Sequence, residues 1–298
     1  MISIVTATYN RAHLLPRLYE SLQSQENKDF EWVVVNDGSV DNTENLIMEF
    51  MGENLININY IKKNNGGKHT ALNIGIEAAR YDYIFFVDSD DVLPVNSISV
   101  ICDKIDLIKN HKNYNRISGV CGSKAHLNGQ LTGTTLNKDL ICNYLEFRYL
   151  YNITGDKAEV FKKKVLKEFK FPEFEGEKFC PEALVWNRIA KKYNMYFFDD
   201  VVYLCEYQSG GLTDKIFKIR KESPNSTLLY YMELYETKNI SRMVRMKALI
   251  NFWRFYEASD KEKYLGNFPK SILNFMLEIS FKVYFSMFKL VSYFKKSV

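Results

Sequence analysis

Three short polar segments carry residue types that could do chemistry. They are Thr6-Ala7-Thr8-Tyr9-Asn10, Asn36-Asp37-Gly38-Ser39 and Asp88-Ser89-Asp90-Asp91. The last is the sharpest. A cluster of carboxylates at the end of an apolar run repels itself unless a hard divalent cation sits among the oxygens. Mg²⁺ or Mn²⁺ keeps few protein ligands and shares the rest of its shell with substrate phosphates, which suits a nucleotide diphosphate leaving group. Alone, N-D-G-S is a plain turn signal, and the acidic run could equally cap a helix with Asp91. The chain has no Walker A sequence and no G-x-G-x-x-G after a strand, which disfavours P-loop and dinucleotide chemistry.

The elements that must position these segments alternate. Ile2–Thr8 reads as a β-branched strand, followed by Leu14, Leu15, Leu18 and Leu22 at helical spacing. Phe30–Asn36 is apolar at consecutive positions, as a strand buried on both faces should be. A helix is expected from near Asp41, a strand over Ile56–Ile61, a helix over Thr70–Ala79 and a strand over Tyr83–Val87. Such alternation means an α/β layer with a mostly parallel sheet. Ligands of such sheets bind at the carboxyl ends of the strands, where the three polar segments should converge.

Beyond Pro94 the expected elements are a helix over Ile98–Ile108, a strand over Ile117–Cys121, a loop-rich stretch 122–157 and a helix over Val160–Phe169. A helix over Glu182–Tyr193 and a strand over Met195–Tyr207 follow, then helices from Asn225 almost to the end.

Composition bounds the answer. The 298 residues are 46% apolar and 26% charged, which excludes a disordered or fibrous chain. Five scattered cysteines form no C-x-x-C pair, so neither a disulfide framework nor a structural zinc is expected. No basic leader precedes the first strand, so the expected location is cytoplasmic. The net charge of +4 is uneven: residues 1–214 carry −5 and residues 215–298 carry +9. Chemistry is expected in the first part and attachment to something anionic in the second.

At this point the chain resembles glycosyltransferase family 2, inverting nucleotide-sugar transferases with a GT-A fold. The matching segments are S-I-V-T-A-T-Y-N-R at 3–11, V-V-V-N-D-G-S-V-D-N-T at 33–43, N-N-G-G-K-H-T-A-L-N-I-G at 64–75 and F-F-V-D-S-D-D at 85–91. The resemblance implies a GT-A domain over 1–214, with a nucleotide half at 1–110 and an acceptor half at 111–214. A basic helical region, 215–298, would follow. It implies donor contacts from Thr6, Ala7, Tyr9, Arg11, Asp37, Lys68, Asp88 and Ser89. Tyr9 would lie against uracil, Asp37 would accept from the base, Lys68 would reach base or diphosphate, and Asp88 would bind ribose or assist the metal. Asp90 would bind Mn²⁺ or Mg²⁺. The implied donor is a UDP-sugar, and the implied acceptor a glycan or lipid-linked saccharide of a cell-surface polysaccharide.

Inversion needs a base for the acceptor hydroxyl. The family usually supplies the Asp of a Glu-Asp pair, and the chain has no such pair in the right region. Cys180-Pro181-Glu182 stands there instead, similar to a Pro-Glu variant in capsule-type members, so Glu182 takes the base role and Glu177 is second choice. Trp186 and Arg188 would line the acceptor pocket, and the loop Tyr207–Thr213 would close over the diphosphate. Ser271–Phe294 has a narrow polar stripe, which fits a helix lying on an anionic membrane at its inner face; the alternatives are packing on the domain or on a second subunit. No nucleic-acid motif accompanies the basic residues. A rival of another class is a non-catalytic nucleotide-binding scaffold in a membrane glycan complex.

Overall fold

A computed structural model describes residues 1–206 and 215–258. The expected loop at 207–213 and helix at 271–294 lie outside the described residues.

β1 (Ile2–Thr8) and β2 (Phe30–Asn36) form where their apolar runs predict them. Every residue of β2 is buried, because helices cover both faces. β3 (Ile58–Lys62) and β4 (Tyr83–Phe86) complete a parallel set of four strands. The intervening helices are α1 (Leu15–Gln23), α2 (Thr43–Glu53) and α3 (Lys68–Ala78), and α4 (Ser97–Lys109) follows β4. Strand alternation divides the core. Ile4, Trp32 and Val34 face α1, α2 and α4, whereas Val5, Val33 and Val35 face α3.

The second half builds β5 (Ile117–His126), β6 (Leu140–Cys142), β7 (Lys157–Lys162) and β8 (Asn194–Cys205). The single sheet of eight strands runs β3-β2-β1-β4-β7-β5-β8-β6. The order turns back between β1 and β4, so the crevice at their carboxyl ends is the switch point of the sheet. One expectation fails here. Val160–Lys162 is not the start of a helix but the end of β7, antiparallel to both β4 and β5; only Lys163–Glu168, α5, is helical. Strand pairing in mid-sheet overrides the helical reading of that apolar and lysine-rich segment.

α6 (Glu182–Ala190) packs its Trp186 against Phe86 and Phe161. α7 (Ile216–Glu222), α8 (Pro224–Glu236) and α9 (Arg242–Ala258) follow. Arg188 of α6 grips Glu233 of α8 at 2.6 Å. Among the described residues no helix is long and apolar enough to cross a membrane.

Candidate active site

The loops leaving β1 and β2 are stitched together. Asn10, in the left-handed region at φ 53°, donates its amide to Ser39 Oγ at 2.9 Å, and its own Oδ1 accepts the Val40 amide at 2.9 Å. Next to this seam, Asp37 is buried and organises the turn at 64–67. One carboxylate oxygen accepts from Lys63 Nζ at 2.6 Å and the Gly66 amide at 2.9 Å. The other accepts from Asn65 Nδ2 at 3.0 Å and the Gly67 amide at 2.8 Å. Four donors fill its lone pairs. Asp37 is therefore the anchor of the glycine turn in this structure, and a base N–H would have to displace one of its partners.

That turn delivers Lys68 at the start of α3. Gly67 makes this possible. Its φ is +94°, and a β-carbon on it would stand 2.0 Å from the Lys178 carbonyl oxygen. Only glycine lets the two backbones approach so closely. The 176–181 segment thereby leads into α6 beside α3, with Pro181 ahead of Glu182, the first helical residue. Lys68 Nζ lies 2.5 Å from Asp88 Oδ1 and 2.8 Å from Glu182 Oε1. One ammonium thus joins the end of β4 to the start of α6. Desolvation opposes its charge, but the two carboxylates outweigh that cost and hold the ammonium well above the ordinary lysine range. Asp88 shows the complement: burial raises it, yet Lys68, Lys124 and Arg11 bring it below the usual carboxylate value.

Asp90 faces Arg11 at 3.5 Å across the crevice between β1 and β4. The Asp88 amide donates to Tyr203 Oη at 2.9 Å, and the Tyr203 hydroxyl donates to buried Asp91 at 2.8 Å. Burial, reinforced by Asp88, pushes the Asp91 carboxyl up to about 7. Asp91 therefore holds the turn after β4. Tyr9 is 47% exposed at the rim and Ala7 is half-buried. Thr6 and Ser89 are buried. Thr6 accepts the Trp32 indole N–H at 3.0 Å, so its side chain supports the floor of the site instead of meeting a ligand.

Three further expectations are corrected. Trp186 is buried in the core, and Arg188 is committed to Glu233, so neither side chain is free to line an acceptor pocket. Glu177 is buried and caps α8, accepting from the Asn225 amide at 2.6 Å and the Ser226 amide at 3.0 Å. Its carboxylate is spent on two of the orphan amides of a helix start.

Sequence reading missed several neighbours of the site. Lys124 of β5 stands 3.7 Å above the Tyr203 ring. Burial disfavours its charge, but Asp88, Glu159 and Asp91 raise it overall. Glu159 of β7 accepts from the Tyr144 hydroxyl at 3.1 Å and lies 3.8 Å from Arg148; burial pushes its carboxyl up. The available signal was a charged residue inside each of two β-forming runs, Lys124 in Ile117–His126 and Glu159 in Lys157–Lys162; such a residue is rarely buried unless it is paired.

A divalent ion finds a sparse donor set. Among the described residues no group of three His, Cys, Asp or Glu side chains is arranged to hold a metal. Asp90 offers partly exposed hard oxygens, whereas Asp88 is engaged by Lys68. This fits an ion that takes one carboxylate and completes its shell with phosphate and water oxygens.

Residues 3–120 match the family model described as Glycosyl transferase family 2. A Campylobacter jejuni GalNAc(5)-diNAcBac-PP-undecaprenol beta-1,3-glucosyltransferase is 28% identical, over 65% of this chain and 61% of that protein. The poly(ribitol-phosphate) beta-N-acetylglucosaminyltransferase TarP of Staphylococcus aureus is 26% identical, over 91% of this chain and 88% of its own. The structure of S. aureus TarS 1–349 in complex with UDP-GlcNAc aligns at a TM-score of 0.61 and 18% identity, covering 94% of this chain and 79% of that one. The mannosyltransferase PcManGT of Pyrobaculum calidifontis, in complex with GDP-Man and Mn²⁺, aligns at 0.55 and 16% identity, covering 96% and 83%. At these identities the two structures show the fold, which is GT-A. Over residues 3–120 the chain is thus similar to glycosyl transferase family 2.

Proposed function

We propose that the protein transfers a hexosyl or N-acetylhexosaminyl group, with inversion, from a UDP-sugar to a hydroxyl of a lipid-linked glycan acceptor. The observation that carries the reading is Lys68 bridging Asp88 and Glu182 at 2.5 and 2.8 Å. It supports a base at Glu182 beside the edge that would hold the diphosphate. Glu182 takes the acceptor proton as the hydroxyl oxygen bonds to the anomeric carbon. The bond from that carbon to the diphosphate breaks on the opposite face, and the electron pair leaves with UDP. Lys68 and Arg11 offset the charge that develops on the phosphates. Tyr9 covers the uracil at the rim, with Ala7 beside it. Asp90 would hold Mn²⁺ or Mg²⁺, and the ion would add to the neutralisation of the leaving diphosphate.

Residues 1–110 would hold the donor and 111–214 the acceptor. The relatives support the substrate classes: one is named for its action on an undecaprenol-linked glycan, and TarS is crystallised with UDP-GlcNAc. The +9 charge of residues 215–298 favours attachment to the anionic inner face of a membrane.

The reading is tested by turnover of UDP-sugars on lipid-linked acceptors with wild type and Glu182→Gln. The substitution should lower turnover about a hundredfold or more without weakening UDP binding. Turnover equal to wild type would move the base away from Glu182.

A further inference from the structure

The contact that carries the functional reading also poses a problem for it. Lys68 Nζ sits 2.8 Å from Glu182 Oε1, so an ammonium already engages one oxygen of the carboxylate that must take the acceptor proton. Among the described residues Lys68 is the one cation within ion-pair distance of Glu182. The same ammonium also holds Asp88. Its backbone is fixed, because Gly67 is locked between Asp37 and the Lys178 carbonyl. Its side chain is about one-third exposed and ends a flexible four-carbon stem. The anchor is rigid and the head can turn.

We infer that Lys68 couples donor occupancy to the availability of the base. Without donor, it holds Glu182 in an ion pair. With a nucleoside diphosphate at the Asp88–Asp90 edge, the ammonium turns to the phosphate oxygens and leaves Glu182 to the acceptor. A diphosphate concentrates more negative charge than one carboxylate, and ammonium binds phosphate as a point charge. The acceptor is then activated only when a donor is in place, which orders the reaction and limits idle deprotonation. Lys68 acts here as a positioning residue for Glu182. The inference rests on the donor and base roles proposed above.

The competition has a counterintuitive consequence. Neutralising Glu182 should release Lys68 and tighten UDP binding. Calorimetric titration of UDP with Mn²⁺ into wild type, Glu182→Gln, Lys68→Gln and the double variant measures it. Glu182→Gln should bind UDP roughly two- to fivefold tighter than wild type, the scale of a part-exposed ion pair. The gain should vanish when Lys68 is also Gln. Unchanged or weaker binding by Glu182→Gln overturns the coupling, whatever becomes of the Lys68 variants. A gain that persists in the double variant also overturns it, since Glu182 would then simply repel the diphosphate. Lys68→Met serves in the cycle if Lys68→Gln does not fold. A wild type that binds no UDP overturns the donor reading itself and the coupling with it.

Discussion

Gly67 is pressed against the backbone of Lys178, so closely that a β-carbon would stand 2.0 Å from the carbonyl oxygen. This contact joins the two halves of the site. The turn that ends in Lys68 belongs to the first half, and the segment that leads to Glu182 belongs to the second. Gly67→Ala would have to part these backbones and hold a side chain at a φ of +94°. The expected outcome is a destabilisation of about 1–3 kcal/mol and a fall in turnover greater than the lost fraction of folded protein. Thermal unfolding and kcat, measured together, check both. A variant with wild-type stability and turnover would show that the contact is not needed.

Glu177 caps α8 and ties the C-terminal helices to the loop before α6. Glu177→Gln keeps the shape but weakens acceptance from the Asn225 and Ser226 amides. We expect a loss of about 1–2 kcal/mol, as for a helix cap, with the pH profile of kcat unchanged. A profile that loses its acidic limb would return Glu177 to the candidate bases.

Much of the first half was legible because local signals and tertiary demands agree there. β1 and β2 are unbroken apolar runs closed by turn residues, and their expected bounds match the structure. The Asp90 edge was legible from three carboxylates after an apolar strand. Glu182 stood out because proline precedes it at a helix start. The second half hid its logic in pairing. β7 ends at Lys162, the first of three consecutive lysines, and its Val160–Lys162 stretch reads as a helix start until β4 and β5 flank it. Lys124 and Tyr203 meet only because β5 runs parallel to β8, through several register shifts that no local pattern announces. Asp37 looked like a ligand contact, and the structure reveals the four donors that it gathers from the next loop.

Lys162 gives a stability prediction with a definite sign. It is buried, donates to the Tyr114 carbonyl at 2.7 Å and lies over the Tyr114 ring. Burial, with a smaller push from Lys164, brings its amine down to about 8. In the unfolded chain a lysine titrates near about 10.4. Between these values the unfolded state binds more protons than the native state, so stability gained from this group rises with pH across the window. Lys162→Met lacks the titration. Wild type should therefore gain on Lys162→Met between pH 8 and about 10, followed by urea unfolding at each pH. A constant difference between the two proteins would contradict a depressed Lys162.

The central claim is that the β1–β4 crevice holds a uridine diphosphate with a metal at Asp90. Thermal shift with UDP, GDP, CDP and dTDP, each with and without Mn²⁺, tests it most directly. At a hundred times its dissociation constant a ligand adds ~2.7 kcal/mol of stability. The account predicts a shift with UDP that grows with Mn²⁺, and loss of the Mn²⁺-dependent part in Asp90→Asn. No shift with any of the nucleotides, or one that Asp90→Asn leaves intact, would contradict it.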